Sequence, residues 1–584
     1  MTTDNIFVQI FTRKMSTKIY ESVYPNIADW PIFKLSEDRA NFINEINQAA
    51  FERIGKQSPQ KVADLIATVV FQERNRMREM PWKVDPPNDA QFWSKINKRL
   101  IREIDPKNQS EIENNEKLLK QIINRYSEEI VSNFKIPTFE FARKFLTVFF
   151  SRILNSASAQ GFFSTIRRLL FGGKLQLLDR FKVHGDIEHI QELFKKGTVV
   201  IVPTHFSNLD SILLGFVMDQ VLKFPAFSYG AGLNLFNSGA VAYFMNRLGA
   251  YRVDRRKKNS VYLETLKTMS SLSIQRGTNS LFFPGGTRSR SGALERRLKM
   301  GLLGTAIDAQ RANFQKDTNT KIFIVPLVMS YHFVLEGQSL IEQSLRTEGK
   351  EKYTKVVNDE FYSIRSVAKY VWNFLSDESE ITLSFGKPMD VMGNFVDTEG
   401  KSFDRYQNEL DIKEYFMSNS KITNNLQRET EYTKILSDKI VDRYFKENVV
   451  LSSHLVAFTV FKMLQNHYHK LDIYGILRLP ADDYIFPYEN VKGAVLALQN
   501  VLLTWQKEEK LKLSEQIYWD IDELIKNGIA EMGIYHLIKP IEIKDNGDLA
   551  SDNFALLFFY HNRLMNYDLE KTIDWDNFKL IINS

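Results

Sequence analysis

A short β-branched run followed by a polar loop is the feature that most constrains how this chain can fold. Residues 198–202 read Thr-Val-Val-Ile-Val, which is typical of a buried strand, and Pro203 ends the run. The loop after it holds His205 and Asp210, and residues 211–222 have the spacing of an amphipathic helix. The pattern places His205 at the carboxyl end of a strand, which in open α/β sheets is the edge where ligands bind.

The spacing of His205 and Asp210 allows a specific chemical use. A turn at this edge can bring the carboxylate to one imidazole nitrogen, which fixes the tautomer and leaves the other nitrogen to accept a proton. A loop histidine is more often simply solvated, so the interpretation depends on support from other parts of the chain.

Short strand patterns alternate with helical patterns over the middle of the chain, which predicts an α/β layer. Helical spacing dominates on both sides of it. A linker is predicted at 392–403, where two glycines occur. The predicted regions are a helical region at 1–165, an α/β region at 166–395 and a helical region at 396–584. The predicted strands are 198–202, 225–229, 249–253, 280–283, 321–331 (interrupted by Pro326) and 381–385.

The composition excludes several classes of chemistry. The 584 residues include no cysteine, so disulfides, thiolate nucleophiles and cysteine-based metal sites are absent. The formal charge of +6 is too mild to indicate nucleic acid, but it is compatible with an anionic bilayer or a phosphorylated substrate. His467 and His469 lack further ligands at useful spacing, and no metal or cofactor is predicted. The start of the chain lacks a signal-peptide pattern, so secretion is not expected.

A glycine-rich loop follows the predicted strand at 280–283. Its consecutive glycines allow backbone N–H groups to approach a bound oxyanion closely. The arginines, threonine and serines after them are natural partners for phosphate oxygens. A basic surface loop is the alternative interpretation. The candidate binding residues in this loop are Gly285, Gly286, Thr287, Arg288, Ser289 and Arg290.

A third cluster lies at residues 251–258, which include five cations, again at the end of a predicted strand. A run of charge is usually a solvated face. The functional interpretation is a second wall of an anion site, for a substrate phosphate or for the phosphates of a carrier.

Together the clusters resemble the four motif blocks of the glycerolipid acyltransferases. His-Phe-Ser-Asn-Leu-Asp at 205–210 resembles the His-x4-Asp block, and Tyr-Arg-Val-Asp-Arg-Arg at 251–256 resembles the second block, with Arg255 at the family's arginine. The loop at 283–292 resembles the third block. Ile-Val-Pro-Leu resembles the fourth, with Pro326 as its proline. The resemblance implies a central mixed β-sheet flanked by helices, with helical N- and C-terminal extensions.

Within the family, the trailing Ser-Arg-Ser-Gly, the long extensions and residues 556–567 resemble the glycerol-3-phosphate and dihydroxyacetone-phosphate acyltransferases. The Val-Asp-Arg of the second block is closer to the lysophosphatidate acyltransferases. The family usually has Glu where Gly285 stands here, and we interpret this departure as altered acceptor binding.

The resemblance implies transfer of a fatty acyl group from acyl-CoA or acyl carrier protein to the sn-1 hydroxyl of glycerol 3-phosphate. In that reaction His205 is the general base and Asp210 orients it, while Arg255, Arg288 and Arg290 bind the acceptor phosphate. Two other acceptors are alternatives to glycerol 3-phosphate: 1-acyl-glycerol 3-phosphate and dihydroxyacetone phosphate. The alternative to an enzyme is a non-catalytic scaffold that binds lipid or phosphate. The oligomeric state stays open, and no nucleic-acid partner is expected.

A membrane surface is the expected location, because acyl chains and their products reside in bilayers. The sequence has no run of about 18 uncharged apolar residues. We therefore expect peripheral or monotopic attachment at the cytoplasmic face, through the basic, Phe-rich stretch at 139–178.

Overall fold

The computed structural model describes residues 20–82, 84–155, 181–233, 239–318, 320–348, 380–533, 536 and 538–582. The first part of this chain is a layer of helices, as its apolar spacing predicts. Proline stands at the start of two of them, where its missing N–H costs no helical hydrogen bond. The helices are α1 (Pro31–Glu37), α2 (Arg39–Ile54), α3 (Pro59–Glu79), α4 (Asp89–Arg99), α5 (Gln109–Ile130) and α6 (Ile136–Asn155).

A seven-stranded sheet forms the centre of the described chain. Its strands are β1 (Phe181–His184), β2 (Gly197–Pro203), β3 (Ser228–Gly232), β4 (Ala250–Val253), β5 (Ser280–Leu281), β6 (Lys321–Tyr331) and β7 (Ile381–Phe385). They lie in the order β1-β7-β6-β2-β5-β3-β4. Strands β2 to β6 run parallel to one another, whereas β7 is antiparallel to β6 and parallel to β1. The predicted α/β fold with a central mixed β-sheet is confirmed.

Helices connect the strands of this sheet, and side-chain caps fix where two of them begin. Asp186 accepts a hydrogen bond from the backbone N–H of His189, and Asn259 accepts one from that of Tyr262. The sequence did not predict β1 or the helix after it, because the strand is short and leaves three of its four residues only partly buried. The helices are α7 (Ile187–Lys196), α8 (Asp210–Phe216), α9 (Gly239–Arg247), α10 (Ser260–Gln275), α11 (Met300–Gln315) and α12 (Gly337–Glu348).

Strand β2 has a strand on each side and positions the loop that follows it. Its residues from Val199 to Val202 are fully buried. It pairs with β6 along its whole length, so that Pro203 lies beside Leu327. The backbone N–H of Thr204 donates to the carbonyl of Leu327 at 2.9 Å, which continues the ladder one residue further. The backbone that leads into His205 is therefore held in one place.

The last part of the chain combines helices with short, paired strands. These strands have only two residues each, so the sequence shows no strand-like alternation of apolar and polar residues there. The predicted linker at 392–403 is wrong, because β8 pairs with β9 there and Val396 and Ser402 are buried. The helices are α13 (Leu426–Glu447), α14 (Ser452–His467), α15 (Ile473–Leu477), α16 (Tyr488–Lys507), α17 (Ile521–Gly533) and α18 (Phe554–His561). The strands are β8 (Phe395–Val396), β9 (Ser402–Phe403), β10 (Glu409–Leu410), β11 (Met417–Ser418), β12 (Lys421–Ile422), β13 (Val449–Val450), β14 (Tyr484–Ile485), β15 (Lys512–Leu513), β16 (Glu542–Ile543), β17 (Leu549–Ala550) and β18 (Ile581–Ile582).

The two largest apolar cores of the described residues connect the N-terminal helices, the central sheet and the C-terminal helices. One continuous cluster of buried side chains joins the central sheet to the C-terminal helices. A second joins α2, α3 and α5 to α10. The division at residues 165 and 395 stays a prediction. Among the helices of the described ranges, none is both long and apolar enough to cross a bilayer.

Candidate active site

His205 and Asp210 form a hydrogen-bonded pair at the carboxyl end of β2. Nδ1 of His205 lies 2.8 Å from Oδ2 of Asp210, which is the first residue of α8. The imidazole side chain is 15% exposed, whereas the carboxylate is fully buried. An ionised carboxylate only accepts hydrogen bonds, so the contact assigns the imidazole hydrogen to Nδ1. Nε2 is then the nitrogen that can accept a proton.

Three further donors hold the Asp210 carboxylate. The backbone N–H groups of Phe206 and Ser207 donate to its Oδ2 at 2.7 and 3.1 Å. The hydroxyl of Tyr331, at the end of β6, donates to Oδ1 at 2.7 Å. Because these bonds come from the loop itself and from a neighbouring strand, the carboxylate has a fixed orientation relative to the imidazole.

Phe283 fixes the plane of the imidazole ring. Its ring is stacked on that of His205, with centroids 4.1 Å apart and planes 24° apart. Phe283 stands directly before the glycine-rich loop, so this loop begins in contact with the histidine. The pair and the loop therefore belong to one site.

The glycine-rich loop turns back onto the histidine backbone. The N–H of Gly286 donates to the carbonyl of Phe283 at 2.9 Å, and Gly286 has a φ of +77°, a conformation that favours glycine. Three residues later, the N–H of Ser289 donates to the carbonyl of His205 at 2.7 Å. The segments that resemble the first and third motif blocks are thus joined by a direct backbone contact.

Glu336 joins Arg288 to the histidine loop. Its Oε1 accepts from Nη1 of Arg288 at 3.3 Å and from the backbone N–H of Asn208 at 3.0 Å. Its Oε2 accepts from the hydroxyl of Ser207 at 3.1 Å. A single carboxylate on the segment after β6 therefore sets the distance between the predicted phosphate-binding arginine and the His205–Asp210 loop.

The other predicted residues lie at varying distances from this pair. Thr287 and Arg290 are partly buried positions of the same loop. Arg255 is exposed just beyond β4, at the same sheet edge but three strands from β2, about 14 Å at the usual strand spacing. Pro326 is buried within β6 beside Val202, in a strand that continues through it, so the predicted interruption is wrong. The structure thus brings Arg288 and Ser289 to the pair, and leaves Arg255 and Pro326 further away.

At two positions of the cation run, 251–258, the structure differs from both interpretations that the sequence suggests. Arg256 pairs with Asp254 at 2.8 Å and also with Asp85, which precedes α4. Lys257 is buried and paired with Glu129 of α5. These two cations are neutralised by carboxylates, two of which, Asp85 and Glu129, come from the N-terminal helical region. They belong neither to a solvated face nor to an open anion site, and their function is to attach the helical layer to the sheet.

A carboxylate occupies the space beside Gly285. A Cβ atom added to Gly285 would lie 3.0 Å from Oε1 and 3.1 Å from Cγ of Glu295. The same Oε1 accepts from the backbone N–H of His205 at 3.2 Å. Loss of hydration raises the pKa of Glu295 to about 7, against the opposing effect of its hydrogen bonds.

Arg563 brings the C-terminal segment into the site. It is buried, and its guanidinium lies 4.3 Å from the ring centroid of Phe206. Its Nη2 donates to the carbonyl of Met329 at 2.7 Å and its Nε to Oδ1 of Asn448 at 2.8 Å. Burial lowers the pKa of Arg563 to about 10, so it remains a cation at neutral pH. Gly292 lies so close to α18 that an added Cβ would be 2.2 Å from the carbonyl oxygen of Phe559.

Sequence reasoning missed five side chains that build this site. Phe283 and Glu295 flank the glycine loop, and their proximity to it was the only available signal. Arg563 lies within residues 556–567, whose resemblance to the glycerol-3-phosphate and dihydroxyacetone-phosphate acyltransferases assigns no function to it. No motif in the sequence marks Tyr331 at the end of β6 or Glu336 just after it. The five are Phe283, Glu295, Tyr331, Glu336 and Arg563. Within the described ranges, no group of three or more metal-ligating side chains is assembled.

Comparison with known protein families supports one class of enzyme for the central region of the chain. Residues 180–330 match the family model of acyltransferases, and this stretch includes the sheet edge, the His205–Asp210 pair and the glycine loop. The fold and the site of this region define an acyltransferase domain.

Curated relatives are named glycerol-3-phosphate acyltransferase. The protein of Pseudomonas paraeruginosa is 26% identical over 268 residues, which cover 46% of this chain and 27% of that protein. That of Pseudoalteromonas atlantica is 27% identical over 236 residues (39% and 26%), and that of Alteromonas mediterranea is 24% identical over 356 residues (59% and 39%). The names of these relatives agree with the class that the acyltransferase model gives for residues 180–330. The chain spans only about a quarter to two fifths of the length of these relatives.

Among solved structures, the 1-acyl-sn-glycerophosphate acyltransferase of Thermotoga maritima matches at a TM-score of 0.22 and 13% identity. The match covers 51% of this chain and 96% of that chain.

Proposed function

We propose that this chain transfers a fatty acyl group from a thioester, acyl-CoA or acyl carrier protein, to the sn-1 hydroxyl of glycerol 3-phosphate. The observation that carries the proposal is the 2.8 Å contact between His205 Nδ1 and the buried Asp210 carboxylate, directly beside a glycine loop with two arginines. The names of the curated relatives support the choice of acceptor.

In the proposed reaction, Nε2 of His205 takes the proton of the acceptor hydroxyl as its oxygen attacks the thioester carbonyl. Asp210 stabilises the imidazolium that results. The tetrahedral intermediate then expels the thiolate, which receives the proton from the imidazolium. The products are the acyl ester and the free thiol, and the histidine returns to its neutral form. No acyl-enzyme is needed, because the thiolate is a good leaving group.

The acceptor phosphate is assigned to the arginines at the same edge. Arg288 donates from Nη1 to Glu336, and this contact orients its guanidinium beside the His205–Asp210 loop. Arg290 lies in the same loop and Arg255 lies further along the edge, where it is suited to a more distant part of a substrate.

A thioester-release assay tests the function and the acceptor together. Purified protein is incubated with acyl-CoA or acyl carrier protein, and thiol release is measured with glycerol 3-phosphate, dihydroxyacetone phosphate or 1-acyl-glycerol 3-phosphate. Acceptor-dependent release that is greatest with glycerol 3-phosphate supports the proposal. A preference for the 1-acyl compound would favour the alternative suggested by the Val-Asp-Arg of the second block. Binding of lipid without release by any acceptor would favour a non-catalytic scaffold.

We propose a membrane surface as the working location, with an aromatic patch on α6 and α9 as the point of contact. Phe141, Phe145 and Tyr243 are 56%, 54% and 50% exposed. Phe141 is stacked against Phe145 and, from the neighbouring helix, against Phe244. Exposed aromatic groups beside cations are typical of surfaces that enter a lipid interface. The later part of the predicted stretch, residues 156–178, lies outside the described residues.

Vesicle sedimentation tests this patch. Replacing Phe141 and Phe145 with Asp is expected to abolish binding to vesicles that contain anionic lipid. Phe71 on α3 is 64% exposed and outside the patch, so Phe71→Asp is the matched control and should bind like the wild type. Undiminished binding of the double variant would refute the patch without affecting the proposed reaction.

A further inference from the structure

Glu295 lies behind the histidine loop without any role in the reaction described so far. Its Oε1 accepts from the backbone N–H of His205 at 3.2 Å, whereas the carbonyl of His205 accepts from the N–H of Ser289. It also lies against Gly285, so close that a Cβ added there would require Glu295 to move by a few tenths of an ångström. One carboxyl group thus contacts both the residue that carries the base and the glycine turn.

The second oxygen of this carboxyl group is unusual. Oε2 of Glu295 is buried and has no hydrogen-bond partner within the part of the chain that the structure describes. A buried acceptor without a partner is costly, more so when it carries charge. The ionisable groups whose charge acts on Glu295 are Arg563, which favours its ionised form, and Asp210, which opposes it. Glu295 in turn acts on the buried hydroxyl of Tyr444 on α13.

We propose that Glu295 is a positioning residue for the proposed acyl transfer: it seats the glycine turn against the histidine backbone, and its ionised form is the active one. A carboxylate is a stronger acceptor than a neutral carboxyl group, so ionisation tightens the contact with the His205 N–H. Its negative charge also adds to that of Asp210 when the imidazolium forms. The inference rests on the proposed function.

The titration behaviour of Glu295 agrees with this role. Its raised pKa, about 7, means that the group changes charge near neutral pH. Activity should therefore require the loss of a proton from Glu295. On the acid side, the slope of log kcat/KM against pH is then about one greater in the wild type than in a variant without this carboxyl group.

The pH profile of Glu295→Gln is the first test. The amide keeps the shape of the side chain but does not titrate, so the slope of the acid limb should fall by about one. We expect kcat at pH 8 to fall about tenfold, with the KM of the acceptor changed less than twofold. A profile that keeps the wild-type slope would overturn the inference, since a merely structural loss lowers activity without removing a titration.

A double-variant cycle is the second test and does not depend on the pKa. Gly285→Ala should lower kcat, because the new Cβ forces the carboxyl group to shift by a few tenths of an ångström from its contact with the His205 N–H. In a Glu295→Ala background the same change should cost less than twofold, because the space is then free. Gly301→Ala is the matched control, since an added Cβ there meets no atom within 4 Å. Independent, multiplicative losses would overturn the steric link.

The two proposals fail in distinguishable ways. If the wild type shows no acceptor-dependent thiol release under any condition, the proposed function fails. If the wild type is active and His205→Ala is not, while Glu295→Gln keeps the wild-type pH profile, only the inference about Glu295 fails.

Discussion

The hydroxyl of Tyr331 donates to Oδ1 of Asp210 at 2.7 Å, and this contact links the base-orienting carboxylate to the central strand β6. The other carboxylate oxygen is held by the histidine and by two backbone N–H groups of its own loop. The orientation of His205 is therefore set by the sheet as well as by the loop.

Removing this hydroxyl should affect stability more than a surface change would. In Tyr331→Phe, the buried Oδ1 of Asp210 loses its donor while the ring volume is kept. A buried acceptor without a partner costs about 1–3 kcal/mol, which we expect as the loss in free energy of unfolding. Chemical denaturation measures it. Tyr518→Phe, at a half-exposed tyrosine, is the control and should change stability by less than about 0.5 kcal/mol. Equal stability of Tyr331→Phe and wild type would contradict the role of this contact.

Arg288→Lys should raise the KM for the acceptor more than the KM for the thioester. Lysine keeps the charge but loses the planar fork that binds a phosphate by two parallel hydrogen bonds and reaches Glu336 at the same time. Steady-state kinetics with each substrate varied in turn measures the two effects. Arg78→Lys, at an exposed position of α3, is the control. An equal rise in both KM values would argue against a contact with the acceptor phosphate.

Arg563 should be essential for stability although it lies close to the C-terminus. Arg563→Met keeps much of the side-chain length, but it leaves the carbonyl of Met329 and the amide of Asn448 without their donor inside the core. Unsatisfied buried groups cost about 1–3 kcal/mol each, so we expect a loss of about 3 kcal/mol or more in the free energy of unfolding. Thermal unfolding compared with Arg478→Met, at an exposed position outside the site, measures it. A melting temperature like that of wild type would be inconsistent with this packing.

Glu295 should make the stability of the protein fall between about pH 4.5 and 7. Its pKa is raised in the fold, so the folded chain holds the proton more tightly than the unfolded chain does. The stabilisation that Glu295 contributes has its full value below the pKa of this group in the unfolded chain. It is lost as the pH rises through the pKa of the group in the folded chain. The loss is up to about 3 kcal/mol. The difference in unfolding free energy between Glu295→Gln and wild type should therefore shift in favour of the variant from pH 5 to pH 8. A difference that is constant with pH would exclude this titration.

The fold was predictable where local pattern and burial agree. Residues 198–202 and 321–331 are identifiable as strands because β-branched and other apolar residues dominate both, and both lie in the middle of the sheet. The edge strand Phe181–His184 is not, because it has only four residues and only one of them is buried. The two-residue strands near 395–422 carry no period at all.

The site was predictable only as far as it is local in sequence. His205 and Asp210 are five residues apart, so a single turn joins them, and the sequence shows both. Arg563 and Glu336 reach the same loop from 358 and 131 residues away, by the packing of α18 and the exit of β6. A single sequence carries no sign of such contacts. The cation run misled for the same reason, because Glu129 and Asp85, far earlier in the chain, neutralise two of its cations.

The activity of His205→Ala tests the central claim most directly. With acyl-CoA and glycerol 3-phosphate, we expect thiol release to fall by about 10²–10⁴-fold with an unchanged melting temperature, because the general base is lost while the fold is kept. His467→Ala, at an exposed histidine of α14, should retain wild-type activity. Activity of His205→Ala within a few-fold of wild type would contradict the account.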